Sequence, residues 1–194
     1  MTALYAGFLL TEVNNFNAKI SKALGGDATQ ALEIISKVNN RIGVYLTIKT
    51  IINIILASIS FLIMWVMGID SAVFWAVMIG FLNYIPYVGS AIGVGFPVGL
   101  ALAQFGSLQW AILALVLLMA VQTYVGNILE PKMIGKSVNL SSFVVLLALV
   151  FWTTIWGLPG AILSIPLTSV LVILLAENQS TKPFAAMFTS DGDL

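Results

Sequence analysis

A short stripe of polar residues near the end of a long apolar run has side chains that can bind or carry charge. The stripe consists of Thr123, Gly126, Asn127 and Glu130. Their spacing of three, four and seven residues places them on one face of a helix, whereas Gln122 lies about 100 degrees away. A carboxylate whose pKa is raised by lipid or protein could bind a cation or carry a proton. Alternatively, Pro131 makes Glu130 a helix end, with Lys132 as its neutralising partner.

Two clusters of proline and glycine interrupt apolar stretches and give a second set of candidate residues. The set consists of Asn83, Pro86, Gly89 and Ser90 at the first break, and Gly157, Pro159 and Gly160 at the second. A broken helix exposes backbone N–H groups that can hold an oxygen-rich solute, and an asparagine in hydrocarbon requires a hydrogen-bond partner. The alternative for Asn83 is a local cap that satisfies the backbone of the break.

The two breaks share one layout, in which a short apolar helix, a turn and a second helix containing proline follow one another. Paired interruptions of this kind are typical of the substrate site of a transporter. Unwound backbone is tolerated at membrane depth only where protein or water surrounds it. The alternative is that these residues mark tight turns. For the first block, both a short helical pair and one long helix with a broken middle fit the pattern.

The composition identifies the solvent of most of the chain as lipid. Of 194 residues, 60% are hydrophobic and 8% are charged, whereas soluble domains are about 25% charged. Residues 50–129 contain only Asp70 as a charged side chain, and residues 137–176 contain none. Each charge at a bilayer centre costs about 2.5 to 3.5 kcal/mol. The sequence therefore predicts an all-α, polytopic integral membrane protein with broken or re-entrant helices.

Charge position also divides the chain into three predicted parts. Residues 1–43 combine a short apolar segment, Ala3–Leu10, with an amphipathic helical linker. Residues 44–176 form the transmembrane domain, and residues 177–194 form a polar tail. Basic residues cluster before the first span, which places that side in the cytoplasm.

Within the transmembrane domain, two conventional spans are predicted at Val44–Met67 and Leu108–Leu129. Lys49 near the end of the first span is expected to extend its ammonium group towards the membrane surface. A polar loop is expected over Glu130–Ser142. In the second broken block, the hydroxyls of Ser164 and Thr168 are expected to bond back to helix carbonyls.

Several function classes are excluded or disfavoured by what the sequence lacks. There is no cysteine and no histidine, which excludes disulfides, Cys/His metal sites and histidine-based hydrolysis. No phosphate-binding Gly-Lys-Ser/Thr loop occurs, so ATP is not expected to drive the protein, and no cofactor is expected. The net charge of zero gives no attraction to nucleic acid. We therefore expect a transporter, or a membrane assembly subunit, rather than an enzyme.

Four ordered motifs give the chain a family resemblance. They are YLTIKT at Tyr45–Thr50, IPYVGS at Ile85–Ser90, LEPKMIG at Leu129–Gly135 and GLPGAILSIP at Gly157–Pro166. In their order and separation the sequence resembles the autoinducer-2 exporter family of bacterial membrane transporters, from Ala3 onwards. Family members are typically about twice as long, so the chain resembles their C-terminal portion, and Ala3–Leu10 resembles the end of a preceding span.

The resemblance implies a multi-pass protein of the bacterial cytoplasmic membrane that exports a small signalling molecule. In other branches of the family it implies exchange of sodium or lithium for protons. The expected partners are the lipid bilayer, a small-molecule or monovalent-cation substrate, and further copies of the chain in a homo-oligomer. Self-association is expected because short helices need neighbours to cover their broken backbone.

Overall fold

A computed structural model describes residues 28–134, 140–177 and 179–190, and side chains from Leu32 to Ala176 within these ranges and again from Gln179. The described residues form a helical structure without a β-strand. The helices are α1 Ala28–Met67, α2 Ala72–Leu82, α3 Val88–Phe105, α4 Leu108–Tyr124, α5 Glu130–Ile134, α6 Ser142–Trp156, α7 Leu158–Glu177 and α8 Lys182–Phe188, with a π-helical turn at Val125–Leu129 between α4 and α5.

Among the residues that the structure describes, four helices are long and apolar enough to cross a membrane. They are Leu32–Met67, Val88–Phe105, Leu108–Ile134 and Leu158–Ala176. Helices α2 and α6 are apolar but shorter. The 11 residues of α2 rise about 16 Å, roughly half of a hydrocarbon core of about 30 Å. This confirms the predicted all-α membrane protein with broken helices.

The structure divides into two compact units between Gly43 and Val44. In the described part of the first unit, Ile34, Ile35 and Val38 are half-buried, whereas Glu33 and Lys37 are exposed and form an ion pair at 2.9 Å. This segment has the two-sided character of an amphipathic helix.

The first broken block folds back on itself as a hairpin of α2 and α3. Near the end of α3, the Gln104 side chain accepts a hydrogen bond from the Asp70 N–H at 2.9 Å and donates to the Gly68 carbonyl at 2.8 Å. The rings of Trp75 and Phe96 stack between the two helices at 5.8 Å. The helical pair is therefore confirmed for this block, and the alternative of one long broken helix is wrong.

Helices α1 to α5 share an apolar core with large, almost fully buried side chains. These include Ile52, Leu56, Met64, Ile79, Leu118 and Val125. Gly80 of α2 lets this hairpin approach α1 closely, because an added Cβ would lie 3.1 Å from both the Asn53 carbonyl oxygen and the Ala57 Cβ. The close approach places the side chains at the end of α2 against α1.

The beginning of the predicted polar loop Glu130–Ser142 is instead helical, since α5 covers Glu130–Ile134. Pro131 lacks a backbone N–H and would clash with the preceding turn of a regular helix. The π turn before it widens the backbone, and the Glu130 N–H bonds to the Val125 carbonyl five residues back. The expectation that Pro131 ends the helix at Glu130 was therefore wrong.

The second broken block is also a hairpin, formed by α6 and α7. The Trp152 indole N–H donates to the Thr168 hydroxyl across the pair at 3.0 Å. Thr168 therefore serves as an acceptor from the other helix, rather than bonding back to its own as expected, whereas Ser164 does bond back, to the Ala161 carbonyl. Helix α8 lies within the predicted tail and packs on α7 with Ala185 fully buried.

Some predicted features fall outside the described residues. They are Ala3–Leu10, the part of the linker before residue 28, residues 135–139 of the polar loop and the final residues of the tail. The three-part division of the chain stays a prediction.

Candidate functional site

One face of α1 carries a row of buried polar side chains inside an apolar bundle. Tyr45, Lys49, Asn53 and Ser60 are separated by four, four and seven residues, which aligns them along the helix. Their exposed fractions are 5%, 5%, 4% and 1%. Sequence reasoning did not single out this row, although the helical spacing of its first three members was visible within YLTIKTIIN. Buried polar groups at such spacing signal a polar site facing the interior.

Lys49 and Glu130 form an ion pair between α1 and the start of α5. The Lys49 Nζ lies 2.5 Å from Glu130 Oε1, and the two side chains are 6% and 22% exposed. Lys49 therefore does not extend to the membrane surface as expected. Lys132, the expected partner of Glu130, is exposed instead. The helix continues past Glu130 and directs the carboxylate to α1, where it neutralises a buried ammonium group.

A chain of three side-chain amides joins the first break to two other helices. Gln122 Nε2 donates to Asn83 Oδ1 at 2.8 Å, and Asn83 Nδ2 donates to Asn53 Oδ1 at 2.8 Å. Asn83 is 9% exposed. Its side chain bonds to α1 and α4 rather than capping the broken backbone, so the expectation of a local cap was wrong. Gln122, which its helical angle set apart from the predicted stripe, is the first donor of this amide chain.

A second link ties the same break to α1 through hydroxyl groups. The Tyr84 and Thr50 hydroxyls are 2.6 Å apart, and Thr50 also donates to the Leu46 carbonyl at 2.7 Å. The buried Tyr45 hydroxyl, on the adjacent face of α1, has no hydrogen-bond partner in the described part of the chain. We call the residues Tyr45, Lys49, Thr50, Asn53, Asn83, Tyr84, Gln122 and Glu130 the polar cluster.

The other candidates of the first break shape its turn. Gly89 is buried, and an added Cβ there would overlap the Leu82 carbonyl oxygen. Tyr87 has φ of 62°, a conformation that is rare for a bulky residue and stores strain. Ser90 donates to the Tyr87 carbonyl at 3.0 Å. Pro86 is half-buried at the tip of the hairpin. These residues form the turn that follows Asn83 at the end of α2.

The other members of the predicted stripe do not lie with Glu130 at the ion pair. Thr123, Gly126 and Asn127 are exposed, whereas Glu130 is partly buried against Lys49. The spacing argument assumed a regular α-helix up to Glu130. The π turn at Val125–Leu129 adds a residue to one turn and changes the direction of every side chain that follows it.

The second break lacks a comparable set of polar contacts among the described residues. Gly157, with φ of 65°, and Pro159 are exposed. Gly160 is buried, and an added Cβ there would overlap the Trp152 carbonyl oxygen. A groove of about 690 Å³ beside this hairpin is lined mainly by apolar side chains of α6 and α7, with Thr168 among them. Its lining suits apolar groups rather than a polar solute.

Comparisons with known proteins agree with this architecture. The sequence model of the AI-2E transporter family matches residues 1–179 of this chain. A provisionally named transport protein of Borreliella burgdorferi is 33% identical over 189 residues, which cover 96% of this chain and 52% of that protein. The AI-2 transport protein TqsA of Escherichia coli K12 is 29% identical over 182 residues, covering 94% of this chain and 52% of TqsA.

A third relative, YhhT of Escherichia coli K12, is 31% identical over 180 residues, covering 93% of this chain and 51% of YhhT. The chain thus spans about half the length of the curated relatives it matches. It is an integral protein of the inner membrane, and the described part of the chain contains four helices able to cross it. The family match over residues 1–179, together with the broken apolar helices, shows that the chain belongs to the AI-2E family of membrane transporters.

Proposed function

We propose that the protein is a secondary transporter that exports a small polar solute, such as an autoinducer-2-like signal used in quorum sensing. The observation that carries the proposal is the polar cluster. Polar and ionisable side chains are costly to bury in a membrane bundle, and they typically mark a solute or ion pathway. The cluster joins the first break to α1, α4 and α5, where a polar solute would meet donors and acceptors in fixed positions.

The name of TqsA supports the choice of solute, because it describes that protein as an AI-2 transport protein. The absence of a phosphate-binding loop in the sequence supports transport driven by an ion gradient or by the gradient of the solute itself. Within the proposal, Glu130 is the group on the pathway that exchanges a proton or a cation. When Glu130 releases that proton or cation, the Lys49 ammonium group neutralises the carboxylate in its place.

The other candidates take supporting places in the proposed pathway. Asn83 lies beside it, and Pro86, Gly89 and Ser90 shape the break that borders it. Gly157, Pro159 and Gly160 form the corresponding break of the second hairpin. Thr123 at the end of α4 and Asn127 in the π turn are both exposed, and they would line the pathway only where another part of the protein covers them.

Self-association is part of the proposal. The tip of the second hairpin is exposed from Thr153 to Pro159, although α6 is too short to cross the membrane. Irregular backbone at membrane depth requires protein or water around it. A second copy of the chain would supply such cover in a homo-oligomer, which sedimentation of the purified protein in detergent would reveal as a mass above that of one copy.

The function is tested with purified protein in lipid vesicles, using this chain and the longer TqsA side by side. Autoinducer-2 and sodium are each offered on one side of the membrane, and the flux of each is followed. We expect saturable flux of autoinducer-2 above that of protein-free vesicles. If this chain carries sodium but no autoinducer-2, the proposed export is wrong. It is also wrong if this chain carries neither probe in a preparation in which TqsA carries autoinducer-2.

The role of Glu130 is tested by Glu130→Gln, with Lys132→Gln as the matched control on the same short helix. Because Lys132 is exposed, its substitution removes a charge from this helix without changing the Lys49–Glu130 ion pair. We expect Glu130→Gln to reduce flux at least tenfold and to flatten its dependence on pH, whereas Lys132→Gln leaves both unchanged. Full transport with an unchanged pH profile in a folded Glu130→Gln protein would exclude its role as a proton carrier.

A further inference from the structure

The three amides of the polar cluster form a chain of hydrogen bonds that leaves one buried donor open. Gln122 donates to the oxygen of Asn83, so the Asn83 nitrogen is the group that donates to Asn53. Asn53 therefore uses its oxygen in the chain, and its Nδ2 has no hydrogen-bond partner among the described residues. An amide nitrogen in a side chain that is 4% exposed is costly to leave without an acceptor.

The surroundings of this open donor define what it can bind. Lys49 lies one helical turn away on the same face of α1, and its ammonium group is also a donor. Two neighbouring donors attract the oxygen of a hydroxyl, carbonyl or carboxylate group.

We propose that Asn53 Nδ2 is a solute-binding donor, held in position by Asn83 and Gln122, and that it selects solutes carrying a hydrogen-bond-accepting oxygen. The inference rests on the proposed function and names the contact atom on its pathway. Asn53 binds the solute, whereas Asn83 and Gln122 act on it only through the direction of the amide chain.

The decisive variant is Asn53→Asp, which keeps an oxygen for Asn83 and replaces the open nitrogen by a second oxygen. The probe is autoinducer-2 in lipid vesicles, and the KM and maximal rate of its flux are measured separately. Loss of one hydrogen bond corresponds to a rise in KM of about two- to tenfold. We expect this rise with little change in the maximal rate per folded protein.

Two further variants separate binding from a structural role. Asn53→Leu removes the donor and the acceptor, and we expect the same rise in KM for its folded fraction together with a lower yield of folded protein. Ser58→Ala is the matched control, because Ser58 lies on the exposed face of the same helix and bonds only to the Ile54 carbonyl. It should leave KM unchanged.

The outcomes distinguish this inference from the proposed function. If the unmodified protein carries no autoinducer-2, the proposed function fails. If it does and Asn53→Asp or the folded Asn53→Leu protein retains its KM, the donor role of Asn53 is wrong and the amide chain is structural only. A rise in KM for Asn53→Asp, but none for Ser58→Ala, supports the inference.

Discussion

The two helical hairpins have the same backbone design but different side-chain chemistry. Each has a buried glycine packed against the carbonyl of the preceding helix, Gly89 on Leu82 and Gly160 on Trp152. Each second helix contains a proline. The first hairpin, however, is tied to α1 and α4 through Asn83. In the second, the described side chains make one hydrogen bond between its own two helices, from Trp152 to Thr168.

This difference shows that a broken helix is not by itself a binding site. A close glycine and a tight turn solve a backbone problem that both hairpins share. Polar chemistry arises only where the break meets side chains from other helices, as Asn83 meets Asn53 and Gln122. Charge follows the same division, because the Lys49–Glu130 pair lies beside the first hairpin.

The largest effect is expected when the Lys49–Glu130 ion pair is broken, because this pair distinguishes the region of the first hairpin from the second. Glu130→Met leaves the Lys49 ammonium buried and unpaired, and should lower the free energy of unfolding by about 3 to 5 kcal/mol. Lys49→Met should cost less, since the Glu130 side chain is 22% exposed and can reach solvent. The double variant should recover most of the loss. The measurement is unfolding in detergent micelles.

Lys132→Met serves as the control for this series, because it removes an exposed charge from the same short helix. It should change stability by less than about 0.5 kcal/mol. Additive losses in the double variant would contradict a direct interaction between Lys49 and Glu130.

An intermediate effect tests the shared backbone design. Gly89→Ala and Gly160→Ala each place a Cβ against a backbone carbonyl that cannot move aside easily. Both should destabilise the protein by about 1 to 3 kcal/mol, judged by thermal unfolding. Gly99→Ala is the control, because its Cβ meets nothing within 4 Å and α3 gains helix propensity. A loss at one glycine alone would show that the two hairpins are built differently.

The smallest effect compares the polar contacts of the two hairpins. Gln122→Leu leaves a buried Asn83 oxygen without its donor, which should cost about 1 to 2 kcal/mol. Trp152→Phe removes the bond to Thr168 and should cost about 1 kcal/mol or less, because hydrogen bonds between membrane helices average about 0.6 kcal/mol. Only Gln122→Leu should also change solute flux. A loss of flux with Trp152→Phe at full stability would assign the second hairpin a direct part in transport.

The sequence alone predicted the lipid environment, the helical spans, both breaks and the family. Each of these depends on local composition, since a run of apolar residues or a proline and glycine cluster acts within its own segment. The same local logic predicted the wrong partners for charged and polar side chains. It paired Glu130 with Lys132 two residues away and assigned Asn83 to its own break.

Tertiary structure decided which polar groups meet. Lys49 and Glu130 are 81 residues apart, and Asn53 and Asn83 are 30 apart, so no local pattern joins them. The π turn at Val125–Leu129 also redirects Glu130 in a way that regular helix spacing does not contain. Whether a segment lies in lipid depends on how many of its residues are apolar, which the sequence states directly. A hydrogen bond or ion pair requires two particular atoms within about 3 Å, and only the packing of distant helices fixes that distance.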